Sequence, residues 1–286
     1  MIAHVAETGE DRGRVVLQFT SAHPSPIALE AAVRIARAFG SEIETLFVED
    51  EQLYDCAAYG FVREVSLTGR QRRVMSAAGM KRDLHLAAQG ARRQIEALAR
   101  RAEVPLRSRV VRDEPLRALS VACAERGPWN VVALAEPFTG NGMLLRQLLV
   151  EISGTTGLVM VGPKAQRVAG PPVAVVEDTQ RLPDMLRTAE RLAALDGAQI
   201  VLLLVASDEE RLHAMDGEAR LVVEGREDVR IEAAAATYGA AAVIAEALRR
   251  LQGGFVICQF GGLLVPDEGD LRPLAAVLEC PLLVVR

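Results

Sequence analysis

A chain of 286 residues with a formal net charge of −5 and an isoelectric point near 5.6 has no basic field to attract nucleic acid or an anionic membrane, so neither is expected as a partner. That length suits one large or two ordinary domains, and a composition half hydrophobic but only 4% aromatic fits Ala-, Val- and Leu-rich helices packed on buried parallel strands. No apolar run is long enough to span a bilayer, and Glu7, Glu10 and Asp11 stand where a signal peptide needs an apolar core, so a cytoplasmic location is expected.

In chain order, Arg14 to Phe19 reads as a strand, and Pro26 to Phe39 as a helix with apolar Ile27, Ala31, Ile35 and Ala38, stopped by Gly40. Ile43 to Val48 is the next strand. Beyond a long intervening stretch, Leu84 to Arg101 reads as a helix, Leu106 to Val111 as a strand, Pro115 to Arg126 as a helix and Asn130 to Ala135 as a strand. A helix from Met143 to Ile152 and a fifth strand from Gly157 to Val161 close the unit. Gly162 to Pro172 breaks every period and reads as a linker.

The pattern then restarts. Val173 to Val176 is a strand, Leu182 to Leu195 a helix ended by Gly197, and Ile200 to Val205 and Val229 to Ala233 are strands. Ala240 to Leu251 is a helix, Phe255 to Gln259 a strand and Pro281 to Val285 the last strand. Arg34, Gly40 and Ile43 match Arg191, Gly197 and Ile200 at an offset of 157 (191 − 34), whereas Asn130 and Gly157 match Gly254 and Pro281 at 124 (254 − 130). The first copy therefore carries about 33 extra residues (157 − 124), placed near 50–83. The expected domains are 1–163 and 172–286, joined by a linker at 164–171. Alternating strands and helices imply an α/β fold of two tandem doubly wound parallel five-stranded sheets, with ligands expected beyond the first and fourth strands of each.

This order, with the fourth strands VVALA and FVICQ and the closing ECPLLVV at Glu279 to Val285, resembles the universal stress protein family over residues 13–163 and 170–286. The resemblance implies an adenine nucleotide alpha hydrolase-like fold whose fifth strands pair across a two-fold axis. Here Gly157 to Val161 would pair antiparallel with Pro281 to Val285, making an intramolecular pseudo-dimer that could itself form a homodimer. It also implies an Asp after strand one and a G-x2-G-x9-G-[ST] loop after strand four, where glycine N–H groups and a helix N-terminus hold phosphates.

Both copies depart from that pattern. The first has Thr20 and Ser21 at the Asp position and Glu136, Pro137, Phe138, Thr139, Gly140, Asn141 and Gly142 after strand four, without the nine-residue spacer. Gly140, Asn141 and Gly142 are either a small anion nest or an ordinary turn before a helix. The second copy keeps Asp178, as ligand contact or helix cap, together with Gly261 and Gly262, but continues into acidic Asp267, Glu268 and Asp270. Carboxylates around a triphosphate repel it, so adenine nucleotide is disfavoured and no cofactor is expected.

The cysteines (Cys56, Cys123, Cys258, Cys280) lack CxxC spacing and read as small buried hydrophobes. His4, His23, His85 and His213 are too scattered for a metal site or a catalytic base, so neither metal nor catalytic residues are expected. Within the insertion, Leu53, Tyr54, Tyr59, Phe61, Val62, Val65 and Leu67 overlap and lead into an arginine-rich run with Arg63, Arg70, Arg72 and Arg73. An apolar patch rimmed by cations suits a partner protein or a lid; the alternatives are aromatics covering the sheet edge and a solvated arginine face. The expected function is a non-enzymatic universal-stress-type regulatory or scaffold protein that binds a protein partner or an unidentified small ligand. The alternative is a nucleotide- or small-ligand-binding switch, or a weak nucleotide-dependent enzyme, using the altered second-copy site.

Overall fold

The computed structural model describes residues 13–19, 24–66, 68–125, 130–137, 146–152, 154–235, 241–267 and 272–286. The first half runs β1 (Arg14–Phe19), α1 (Pro26–Ala38), β2 (Glu42–Asp50), α2 (Glu51–Ala58), β3 (Arg63–Val65), β4 (Arg72–Val74), α3 (Ala77–Arg101), β5 (Leu106–Asp113), α4 (Pro115–Glu125) and β6 (Asn130–Leu134). A π-helical turn (Gln147–Glu151) and β7 (Thr155–Met160) end it. The second half runs β8 (Pro172–Val176), a 3-10 turn (Thr179–Arg181), α5 (Leu182–Ala193), β9 (Ile200–Ala206), α6 (Glu209–Val222), β10 (Val229–Ala235), α7 (Ala241–Leu251), β11 (Phe255–Gln259), α8 (Arg272–Val277) and β12 (Leu282–Val285).

The local signals explain the element ends. Ser25 caps α1 by accepting from the Ala28 N–H, and Pro26 fills the first helical position, where no N–H is needed. Gly40 (φ +60°) and Gly197 (φ +62°) terminate the matching helices α1 and α5 in the left-handed region that favours glycine.

Ten strands form one sheet in the order β10-β9-β8-β11-β12-β7-β6-β1-β2-β5. From either edge inward the order is the third, second, first, fourth and fifth strand of a half, with the β3–β4 hairpin set apart. Neighbours within each half are parallel. At the seam β7 runs antiparallel to β12, with Gly157 opposite Val285 and Met160 opposite Leu282, as the resemblance implies. The two five-stranded sheets are thereby one, and neither fifth strand is left as an apolar edge.

Side chains alternate between two helical layers. Val15, Leu17 and Phe19 belong to the core layer shared with α1, α3, α5 and α6, while Val16, Leu46 and Val48 belong to the layer shared with α4, α7, α8 and the π turn. Across the seam, Arg34 pairs with Asp196, and the Arg191 guanidinium lies 5.2 Å from the Phe39 ring centre. The offset of 157 carries Arg34 onto Arg191 and Phe39 onto Asp196 (191 − 34 and 196 − 39), so one contact is repeated in both directions, as an isologous interface requires.

Several elements differ from expectation, among them α2, the β3–β4 hairpin and α8, where no helix or strand was read from the sequence. α3 begins at Ala77 rather than Leu84, because Ser76 caps it by accepting from the Gly79 N–H at 3.3 Å, so the end of the insertion is helix. α6 occupies a stretch where no helix was expected. The helix anticipated from Met143 to Ile152 begins outside the described residues, and within them it is the π turn at Gln147–Glu151.

Candidate functional site

In this strand order, crevices open where the first and fourth strands of each half lie side by side, at β8–β11 and β1–β6.

The second-half crevice is built on two strand ends. β11 leads into a turn at Gly261 (φ +83°), closed by the Gly261 N–H donating to the Val265 carbonyl at 2.8 Å and by a bridge between Phe260 and Val265. Leu264 and Val265 are buried and anchor that turn in the core. The N–H groups of Leu263 and Leu264 then face β8, where Glu177 follows the last strand residue. Its carboxylate accepts from both: Oε2 from Leu263, and Oε1 from Leu264 at 3.1 Å.

Burial raises the Glu177 pKa above the usual carboxylate value, and the two N–H donors pull it back only in part. Among the described residues no cation pairs with it. A Cβ at Gly262 would lie 2.8 Å from the Glu177 Cδ, so the carboxylate occupies the space that glycine leaves.

Asp178 points elsewhere. Its side chain accepts from the Gln180 N–H at 3.0 Å and caps the 3-10 turn. Asp267 stands beside Gly261, its Oδ1 3.1 Å from where a Cβ would be. Sequence reasoning pointed to Asp178, Gly261 and Gly262 and missed Glu177; the available signal was a carboxylate ending a buried strand directly before a capping Asp.

In the first half, Thr20, Ser21, Gly140, Asn141 and Gly142 lie outside the described residues. Beside that crevice, on the side of β1 away from β6, Phe19 stacks on Phe47 with ring centres 4.4 Å apart. Together with Val48, Leu84 and His85 the stack lines a shallow opening between β1, β2, β5 and α3.

The insertion forms α2 and an antiparallel β3–β4 hairpin. Tyr54 leans back on the sheet, its hydroxyl donating to Glu49 Oε2 at 2.9 Å beneath the Arg112 guanidinium, 4.1 Å from the ring centre. Tyr59 and Phe61 stay 57% and 79% exposed, their ring centres 5.6 Å apart. In the hairpin, Arg63 faces Val74 and Val65 faces Arg72 on one side, whereas Glu64 faces Arg73 on the other. The Glu64–Arg73 side is tied to α3 through Asp83, 3.4 Å from Arg73. The opposite side is solvent-facing: Val65 and Val74 are exposed, and Arg63, Arg70 and Arg72 have no ion pair among the described residues. Leu67 lies outside them.

Burial pushes the Cys123 and Cys280 thiols up to about 11 and about 12, and Cys258 well above its usual value, so none of these three supplies a thiolate, whereas Cys56 on α2 is exposed and not the buried hydrophobe expected. Among the described residues, no group of three His, Cys, Asp or Glu side chains is placed to hold a metal, and no helix is long and apolar enough to cross a membrane.

No known family's sequence profile matches the chain, and no curated protein does. Solved structures do. A universal stress protein from Archaeoglobus fulgidus superposes with a TM-score of 0.61 at 14% identity, covering 96% of this chain and 97% of that one. A putative universal stress protein from Pseudomonas aeruginosa gives 0.54 at 15% identity, covering 96% and 93%. The cytoplasmic domain of a prokaryotic cation chloride cotransporter gives 0.55 at 9% identity, covering 96% and 95%. Matches that span both halves together with the strand order assign this chain the fold of the universal stress proteins.

Proposed function

We propose that this chain is a universal-stress-type regulatory or scaffold protein, descended from a tandem duplication, that acts through protein contacts and not through ATP. The observation that carries this reading is Glu177: the loop N–H groups best placed to meet a phosphate already donate to a carboxylate of the chain. Asp267 beside the loop opposes a triphosphate further. Calorimetric titration with Mg-ATP should give no heat of binding. Micromolar affinity that collapses in Gly261→Val would overturn the reading and favour a nucleotide switch in the second half.

The working surface in this reading is the solvent-facing side of the β3–β4 hairpin with Tyr59 and Phe61. Large exposed apolar groups between unpaired guanidinium groups suit a partner whose apolar contact is flanked by carboxylates. Reversing Arg63 and Arg72 to Glu removes no buried contact, so stability should change by less than about 0.5 kcal/mol. Partner capture from the native cell should nevertheless fall at least about tenfold, a loss of roughly 1.4 kcal/mol in binding. Undiminished capture by the folded variant rules this surface out.

A further inference from the structure

Four features meet at the β8–β11 crevice. The turn after β11 is closed by its own backbone, through the Gly261 N–H to the Val265 carbonyl and the Phe260–Val265 bridge, so its shape does not depend on Glu177. Two successive N–H groups, Leu263 and Leu264, converge on one carboxylate, each taking a different oxygen. That carboxylate meets donors from the backbone and no cation among the described residues, and burial opposes its charge. Gly262 lacks the Cβ that would intrude on it.

We propose that the Gly261–Leu264 turn is a preformed oxyanion site whose occupant is the chain's own Glu177, which closes the site to external anions. This rests on the reading above, that the unaltered protein does not use ATP, and deepens it by naming what fills the site. The occupant's chemistry sets the class of ligand that would replace it. Two oxygens about a single central atom, held by convergent backbone N–H groups, match one face of a tetrahedral oxyanion such as inorganic phosphate. Asp267, its Oδ1 3.1 Å from where a Gly261 Cβ would be, adds negative charge beside the turn and disfavours a more highly charged polyphosphate. Glu177 is attached by a flexible three-bond side chain, so it can leave the turn without breaking β8. Its departure leaves two inward N–H groups without an acceptor, a state that an incoming oxyanion relieves.

The test compares the unaltered chain with Glu177→Ala, titrating each with inorganic phosphate while following the Leu263 and Leu264 amide resonances. The unaltered chain should show neither saturable binding nor movement of those resonances. Glu177→Ala should bind phosphate at least about tenfold more tightly, the equivalent of roughly 1.4 kcal/mol, with both amides shifting along the same isotherm. A folded Glu177→Ala chain that ignores phosphate overturns the inference, as does an unaltered chain that binds it equally well. Should Glu177→Ala fail to fold, Glu177→Gln decides, because it keeps the side-chain volume but turns one acceptor into a donor. Faster hydrogen exchange at Leu263 or Leu264 then supports the inference, and unchanged exchange overturns it. Tight ATP binding by the unaltered chain would instead sink the non-nucleotide reading, an outcome separate from the phosphate comparison of the two chains.

Discussion

Replacing Arg14 by Met should lower the unfolding free energy by about 3–5 kcal/mol, the cost of removing one partner from a buried ion pair. Arg14 is 2% exposed at the start of β1, and its guanidinium donates to Glu44 on β2 and to the Ala122 carbonyl at the end of α4. Its Nε donates to Asn130 Oδ1 on β6 at 2.7 Å, and Asn130 in turn donates to the Cys123 and Gly154 carbonyls at 3.1 and 3.2 Å. One side chain thus joins three strands and a helix. Without it the Glu44 carboxylate, 4% exposed, keeps only the Arg109 guanidinium, 3.6 Å away and partly in water. The double variant Arg14→Met, Glu44→Leu should recover most of the loss, because apolar groups of similar size leave no buried charge unpaired. Urea unfolding of the two variants checks this. A single variant within about 1 kcal/mol of the parent would show that the network contributes little net stability.

Phe19→Ala should cost a comparable amount, about 3–5 kcal/mol, as a buried aromatic truncation usually does. The ring lies at the carboxyl end of β1, stacked on Phe47 of β2 and packed in the layer that includes α1 and α3. Its removal also enlarges the opening between β1, β2 and α3, so an apolar dye that ignores the parent should bind the variant. A loss under about 1 kcal/mol, with no new dye binding, would mean that neighbouring side chains collapse into the space.

Much of the architecture was legible because it depends on local periods and on repetition. β1 and β11 fall where the β-rich runs stand, Gly40 and Gly197 mark matching helix ends, and the fifth-strand pairing that the family resemblance implied is the one the β7–β12 register shows. α6 was missed although Asp208 caps it and Leu212, Met215 and Ala219 keep helical spacing; so few apolar residues among many charges make a weak stripe. The hairpin escaped because three-residue strands are too short to show alternation. The site was the least legible part. Glu177 meets a loop 86 residues further along the chain, and no spacing rule connects a carboxylate after one strand to amides after another. A search for phosphate ligands also passes over an acidic residue that stands in for the phosphate.

The seam has a consequence during synthesis. β7 finds its partner β12 only when residues at least 122 positions later (282 − 160) have been added. At roughly 5–20 residues per second, the ribosome leaves that strand waiting on the order of 10 s after the first half could have folded. For that interval Leu158, Val159 and Met160, buried in the finished sheet, belong to an open edge that any extended chain could join. Truncated products that stop before β12 would keep this edge permanently, and a chaperone that shields it would act on the half-made chain alone.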